Sequence, residues 1–158
     1  MHKHKNMVML TLLIITVYAQ SQLIEKKTVS LELAKKIAAV AEAEAAKNKW
    51  NVVISILDDG GNLVYLERMD NTQSGSIEVS IQKARTAISF KRPTKVFEDM
   101  VAGGRNVILS LPGVVPLEGG VPLMVKDQYV GSIGVSGAKA NEDGIVAKAA
   151  VDFLLRNN

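Results

Sequence analysis

"WNVVISILDDGGNLVYLERM", residues 50–69, decides the fold. Two apolar runs rich in β-branched residues flank Asp-Gly-Gly-Asn at 59–62. Glycine and asparagine tolerate the positive φ that tight turns need, so the stretch predicts a β-hairpin. A hairpin pairs its strands antiparallel. A second one is predicted in "VPLMVKDQYVGSIGVSG", residues 121–137, turning at Asp127–Gln128.

Helical patterns surround the hairpins. In "SLELAKKIAAVAEAEAAKNK", residues 30–49, Ser30 is the expected N-cap, and Ala34, Ile37, Ala38, Ala41 and Ala45 form one stripe. In "SGSIEVSIQKARTAISF", residues 74–90, Ile77, Ile81, Ala84 and Ile88 line the expected core face, with Lys83 on the polar side. Pro93 ends that helix. "TKVFEDMVA", residues 94–102, reads as a short helix capped by Thr94. The last helix starts near Asn141, with Ile145, Val146, Ala149, Ala150 and Phe153 as its apolar face. Between these, "RNVILSLPGVVPLEGG", residues 105–120, carries Pro112 and Pro116 and reads as a long ordered loop with at most one short edge strand. The order is α-β-β-α-α-β-β-α. Helices on a largely antiparallel sheet make an α+β domain.

The amino terminus stands apart. "MHKHKN" is basic, and Met7 to Tyr18 is an unbroken apolar run of twelve residues. Val17 and Ala19 have signal-peptidase spacing, so residues 1–19 are expected to be a cleaved secretory signal. An uncleaved anchor or a buried first strand are the alternatives. With the signal gone, residues 20–158 form a single domain whose net charge falls from +3 to +1. That balance, with 4% aromatic residues, points away from nucleic acid. The chain has no cysteine, and its two histidines, His2 and His4, both lie in the signal. The mature domain therefore lacks Ser-His-Asp and Cys-His catalysis and any imidazole zinc site. Such an exported domain, without disulfides, must rely on its core or on oligomerisation.

"VGSIGVSG", residues 130–137, is glycine-rich but matches neither the Walker phosphate loop nor the dinucleotide fingerprint. Ile133 and Val135 alternate with Ser132, Gly134 and Ser136, which leaves one strand face nearly bare. Such a face admits a closely packed helix or a ligand, and the residues alone favour the helix.

Three stretches in order carry a resemblance: "LDDGGNLVYLERMD" (57–70), "SIQKARTAISFKRPT" (80–94) and "EGGVPLMVKDQYVGSIGVSGAKANEDGIVAKAA" (118–150). Together they resemble the haem-binding GlcG/HbpS-like proteins, whose domain also ends some PduO-type corrinoid adenosyltransferases. The resemblance implies a profilin-like sandwich with a central antiparallel sheet of about five strands, and a homo-oligomer. It also implies haem or a related tetrapyrrole as ligand and, from one secreted relative, a secreted or periplasmic protein.

Candidate ligand-binding residues are Arg68 and Asp70 at the end of the first hairpin, Lys83, Thr94, Gly119, Gly120 and Gly134. Arg68 and Lys83 are cations suited to carboxylates, and the Gly119–Gly120 amides could form an anion nest. Each has a plainer structural reading: an ion pair, a solvated helix face, a helix cap, a turn. Haem iron is commonly held by His or Cys. Here the candidates are Met69, Met100, Met124, Tyr65, Tyr129 or, unusually, a lysine. The alternative to a binding protein is a metal-independent enzyme on a small carboxylate metabolite, with Asp70 or Glu118 moving the proton. A third reading is a structural oligomer with loop 107–117 as its interface.

Overall fold

The computed structural model describes residues 23–157. The expected signal, residues 1–19, lies outside them. Helix α1 (Leu31–Lys47) leads into β1 (Val53–Asp58), β2 (Leu63–Arg68), α2 (Gly75–Phe90) and α3 (Thr94–Ala102). A 3-10 turn (Asn106–Ser110) precedes β3 (Gly120–Val125), β4 (Gln128–Ser136) and α4 (Ala140–Arg156). The 3-10 turn occupies the stretch read as loop, and no strand forms there. The described residues form a four-stranded sheet in the order β2-β1-β4-β3, every pair antiparallel. The fold class is α+β as expected, with four strands in place of about five.

Both hairpins form. Asp58 Oδ1 accepts from the amides of Gly60 (2.9 Å) and Asn62 (2.8 Å), and Gly61 takes φ +80° at the turn. Burial raises the Asp58 pKa, but the hydrogen bonds from Asn62 and Gly60 outweigh it and hold the carboxyl below its usual value. The second hairpin turns at Lys126–Asp127, one residue earlier than expected, with Lys126 at φ +53°.

The sheet has two unlike faces. On one, Ile54, Ile56, Ile133 and Val135 pack with the alanine stripe of α1 and with Val146, Ala147, Ala150 and Leu154 of α4. The α1 stripe is buried as the periodicity predicts, and Leu33 N donates to Ser30 Oγ at 3.2 Å. Helix α4 is turned by about one residue from expectation: Ile145 is exposed, while Asp143 and Ala147 are buried.

The other face is small. Ser55, Ser132, Gly134 and Ser136 meet α2, whose buried side is Ser76, Ser80, Lys83, Ala84 and Ala87. Of the predicted apolar stripe, Ala84 and Ile88 are buried as expected, while Ile77 and Ile81 are only half-buried. A Cβ at Gly134 would lie 2.7 Å from Ala84 N and closer still to Ser80 O. Helix α2 thus fills the bare strand face, and Ser55 Oγ meets Ser80 Oγ at 2.6 Å. Two smooth surfaces allow the backbones to approach, so the helix docks its small residues there and turns Ile77 and Ile81 aside.

Candidate functional site

Four of the seven candidate residues converge where β3 begins. Lys83 is 2% exposed, not solvated. Its Nζ donates to Asp143 Oδ2 (2.8 Å) and to Val135 O (3.0 Å). Burial pushes the Asp143 carboxyl above its usual pKa, and the Lys83 ammonium works against that rise. Asp143 Oδ1 also accepts from Ala138 N at 3.1 Å, tying the start of α4 to the pair.

Gly119 covers this pair. At φ +125° it leaves no room for a side chain: a Cβ there would come within 2.6 Å of Val135 O and 3.0 Å of Lys83 Nζ. Thr94 is the first residue of α3, and Pro93 holds the cap position. The Thr94 hydroxyl reaches across to β3, accepting from Gly120 N at 2.9 Å. That bond commits the Gly120 amide, so an anion nest would lack one of its two donors, and Gly119 at positive φ fits the plainer reading of a turn. The Thr94 cap expectation is likewise replaced by a bond that joins α3 to the sheet edge.

Above this floor, α3 and α4 extend past the β3 edge from opposite sides and enclose a cleft of about 280 Å³. Pro93, Val121 and Val151 supply apolar wall, with Gly119, Gly120 and Gly144 between them. Two lysines flank the mouth. Lys95 pairs with Asp99 at 2.8 Å and Glu118 Oε2 at 3.7 Å, and Lys148 pairs with Asp152 at 2.6 Å. The hydrogen bond it donates to Asp99 holds the Lys95 ammonium above its usual pKa. Glu118 N donates to Glu98 Oε2, which fixes the loop below the mouth. Sequence reasoning missed Lys95, Lys148 and Val151, because only the meeting of α3 with α4 makes them neighbours.

Of the other candidates, Gly134 is the register partner of Gly120, and the remaining two lie elsewhere. Arg68 and Asp70 are exposed at the end of β2, the opposite edge of the sheet. Arg68 makes no ion pair among the described residues. Its neighbour Glu67 accepts from Tyr65 OH at 3.0 Å. Gly134 is covered by α2.

The described sequence belongs with known proteins. A family model described as "Haem degrading protein HbpS-like" matches residues 29–152. The chain belongs to the HbpS-like family. Protein GlcG of Escherichia coli is 43% identical over 111 residues, 70% of this chain and 83% of GlcG. A double mutant of Streptomyces reticuli HbpS superposes with a TM-score of 0.77 at 30% identity, covering 85% of this chain and 92% of that one. A PduOC:heme complex superposes with a TM-score of 0.71 at 27% identity, covering 79% and 94%.

The HbpS-like family name raises the question of whether these residues suit a haem. The cleft's apolar walls and flanking lysines suit the edge of a flat ring bearing carboxylates. They do not suit the iron. The described residues contain no His or Cys. None of Met69, Met100, Met124, Tyr65 or Tyr129 lines the cleft. Met69 packs on the core, and Tyr65 is held by Glu67. Tyr129 lines a separate cleft of about 260 Å³ with six charged side chains, and its hydroxyl donates to Lys91 O at 3.2 Å.

Proposed function

We propose that this HbpS-like protein binds haem or a related tetrapyrrole, gripping one edge of the ring in the cleft beside β3. The observation that carries the reading is the pairing of an apolar slot with a lysine on each side of its mouth. The apolar walls take up the ring by removing its surface from water. Lys95 and Lys148 stand where propionates would emerge. At about 280 Å³ the cleft is just below the roughly 300–1,000 Å³ of enclosed small-molecule sites, so part of the ring stays outside it. The family description and the heme-bound PduOC neighbour support the ligand class. The basic start and twelve-residue apolar run support an exported, secreted or periplasmic protein. The family resemblance, with no disulfide to brace the domain, supports a homo-oligomer.

The enzyme reading has less behind it. Its two cations are separated, Arg68 at one sheet edge and Lys83 buried at the other with two acceptors engaged. A hemin titration followed by absorbance tests the proposal. Saturable binding is expected, and Val151→Glu, which sets a carboxylate on the apolar wall, should weaken it at least about tenfold. Non-saturating titration, or an isotherm indifferent to Val151→Glu, would overturn it.

A further inference from the structure

We infer that the site is blind to the metal: it selects a tetrapyrrole by ring edge and carboxylates, and takes the metal-free ring as readily as the iron complex. The inference rests on the proposed function and deepens it. Its basis is the donor set of the cleft. A haem protein that reads the iron supplies an axial side chain, commonly His, Cys, Met or Tyr. None of these lines the Gly119–Gly120 cleft.

The remaining donors there are two lysines, which face carboxylates, and two carboxylates, which face lysines or helix α4; none of the four is a common axial ligand. Lys148 holds Asp152 at 2.6 Å. Lys95 holds Asp99 at 2.8 Å and stands 3.7 Å from Glu118 Oε2. The other Glu118 oxygen packs against Gly144 of α4, where a Cβ would collide with the Glu118 side chain. Beneath the floor, the Lys83 ammonium is screened by Gly119 and bonded to Asp143 and Val135. No side chain lining the cleft is therefore a common axial donor to iron. What the cleft offers is apolar contact and charge, and both read the ring and its substituents, which are the same with or without iron.

The test compares two titrations of the protein beginning at Gln20, which carries no histidine and no cysteine. One uses hemin, followed by absorbance. The other uses protoporphyrin IX, followed by its fluorescence. Dissociation constants within about threefold are expected, with Val151→Glu weakening both alike. Met100→Leu, Met124→Leu and Tyr129→Phe should leave the hemin isotherm in place. Hemin binding more than about tenfold tighter than the metal-free ring would overturn the inference while leaving the proposed function standing. So would a loss confined to hemin in any of the three ligand variants. Failure of both rings to bind would overturn the proposed function and this inference with it.

Discussion

Replacing Lys83 with methionine tests the floor of the cleft directly. The substitution keeps length and apolar volume but removes the ammonium 2.8 Å from Asp143 Oδ2 and 3.0 Å from Val135 O. Both partners of the ion pair are buried, with side-chain exposures of 3% and 2%. Removing one member of such a pair strands the other's charge and costs about 3–5 kcal/mol. The orphaned Val135 carbonyl adds to that. A domain of this size is stable by about 5–15 kcal/mol, so the loss should be large in a urea melt. Trp50, the one tryptophan, packs against the core and reports unfolding.

The deficit should depend on pH. Asp143 already has a raised pKa from burial, opposed by Lys83. Without Lys83 it rises further. A raised folded-state pKa contributes stability that is complete below the unfolded value, near 3.8, and is lost as pH climbs through the folded value. Lys83→Met should therefore be closest to the parent near pH 4 and fall behind toward neutrality. Lys83→Met with Asp143→Leu should recover most of the loss, since an apolar pair strands no charge. A single variant within about 1 kcal/mol of the parent at pH 7, or a deficit indifferent to pH, would refute the buried-pair reasoning.

Three other outcomes follow from the packing. Gly134→Ala places a methyl carbon 2.7 Å from Ala84 N and in collision with Ser80 O, so α2 must retreat by more than about 1 Å and loosen the Ser55–Ser80 bond. A loss of about 2–4 kcal/mol is expected by urea melt, and a neutral result would mean the helix is not seated on β4. Ser132 Oγ is buried with no hydrogen-bond partner among the described residues, opposite Pro122 in the register. Ser132→Ala should thus raise stability by about 1 kcal/mol, and a loss of that size would show that the hydroxyl has a partner. At the cleft mouth, Asp152→Asn frees Lys148 from its 2.6 Å partner and should tighten hemin binding several-fold at low salt, less at high salt. Unchanged affinity would show that Lys148 does not meet the ligand.

Much of this architecture was legible because local chemistry and tertiary structure agree. Asp58 to Asn62 are turn residues in a turn, and the α1 alanines face the core that their spacing requires. The reading faltered where burial was not apolar. Helix α2 buries two serines, a lysine and a threonine, so a hydrophobicity pattern pointed to Ile77 and Ile81 instead. The cue was present in the strand: a face of Ser132, Gly134 and Ser136 calls for small residues opposite. Lys83 showed the same difficulty, since only its reach to Asp143, sixty residues on, makes burial tolerable. Lys95 and Lys148 could not be paired from sequence, because no local period links α3 to α4.

The strand order has a consequence for how the chain folds. Each hairpin joins neighbours in sequence, and such elements form in about 1–10 μs. The central seam between β1 and β4 joins Val53 to Ser136, about 80 residues apart. Helix α2 lies between them in sequence and over that seam in space. Much of the domain's loop-closure entropy therefore falls on this one seam, at whose middle Ser55 faces Gly134. Ser55 and Gly134 in the seam, and Ser80 of α2 above them, are where the rate-limiting encounter should register, and the two hairpins should already be formed when it occurs.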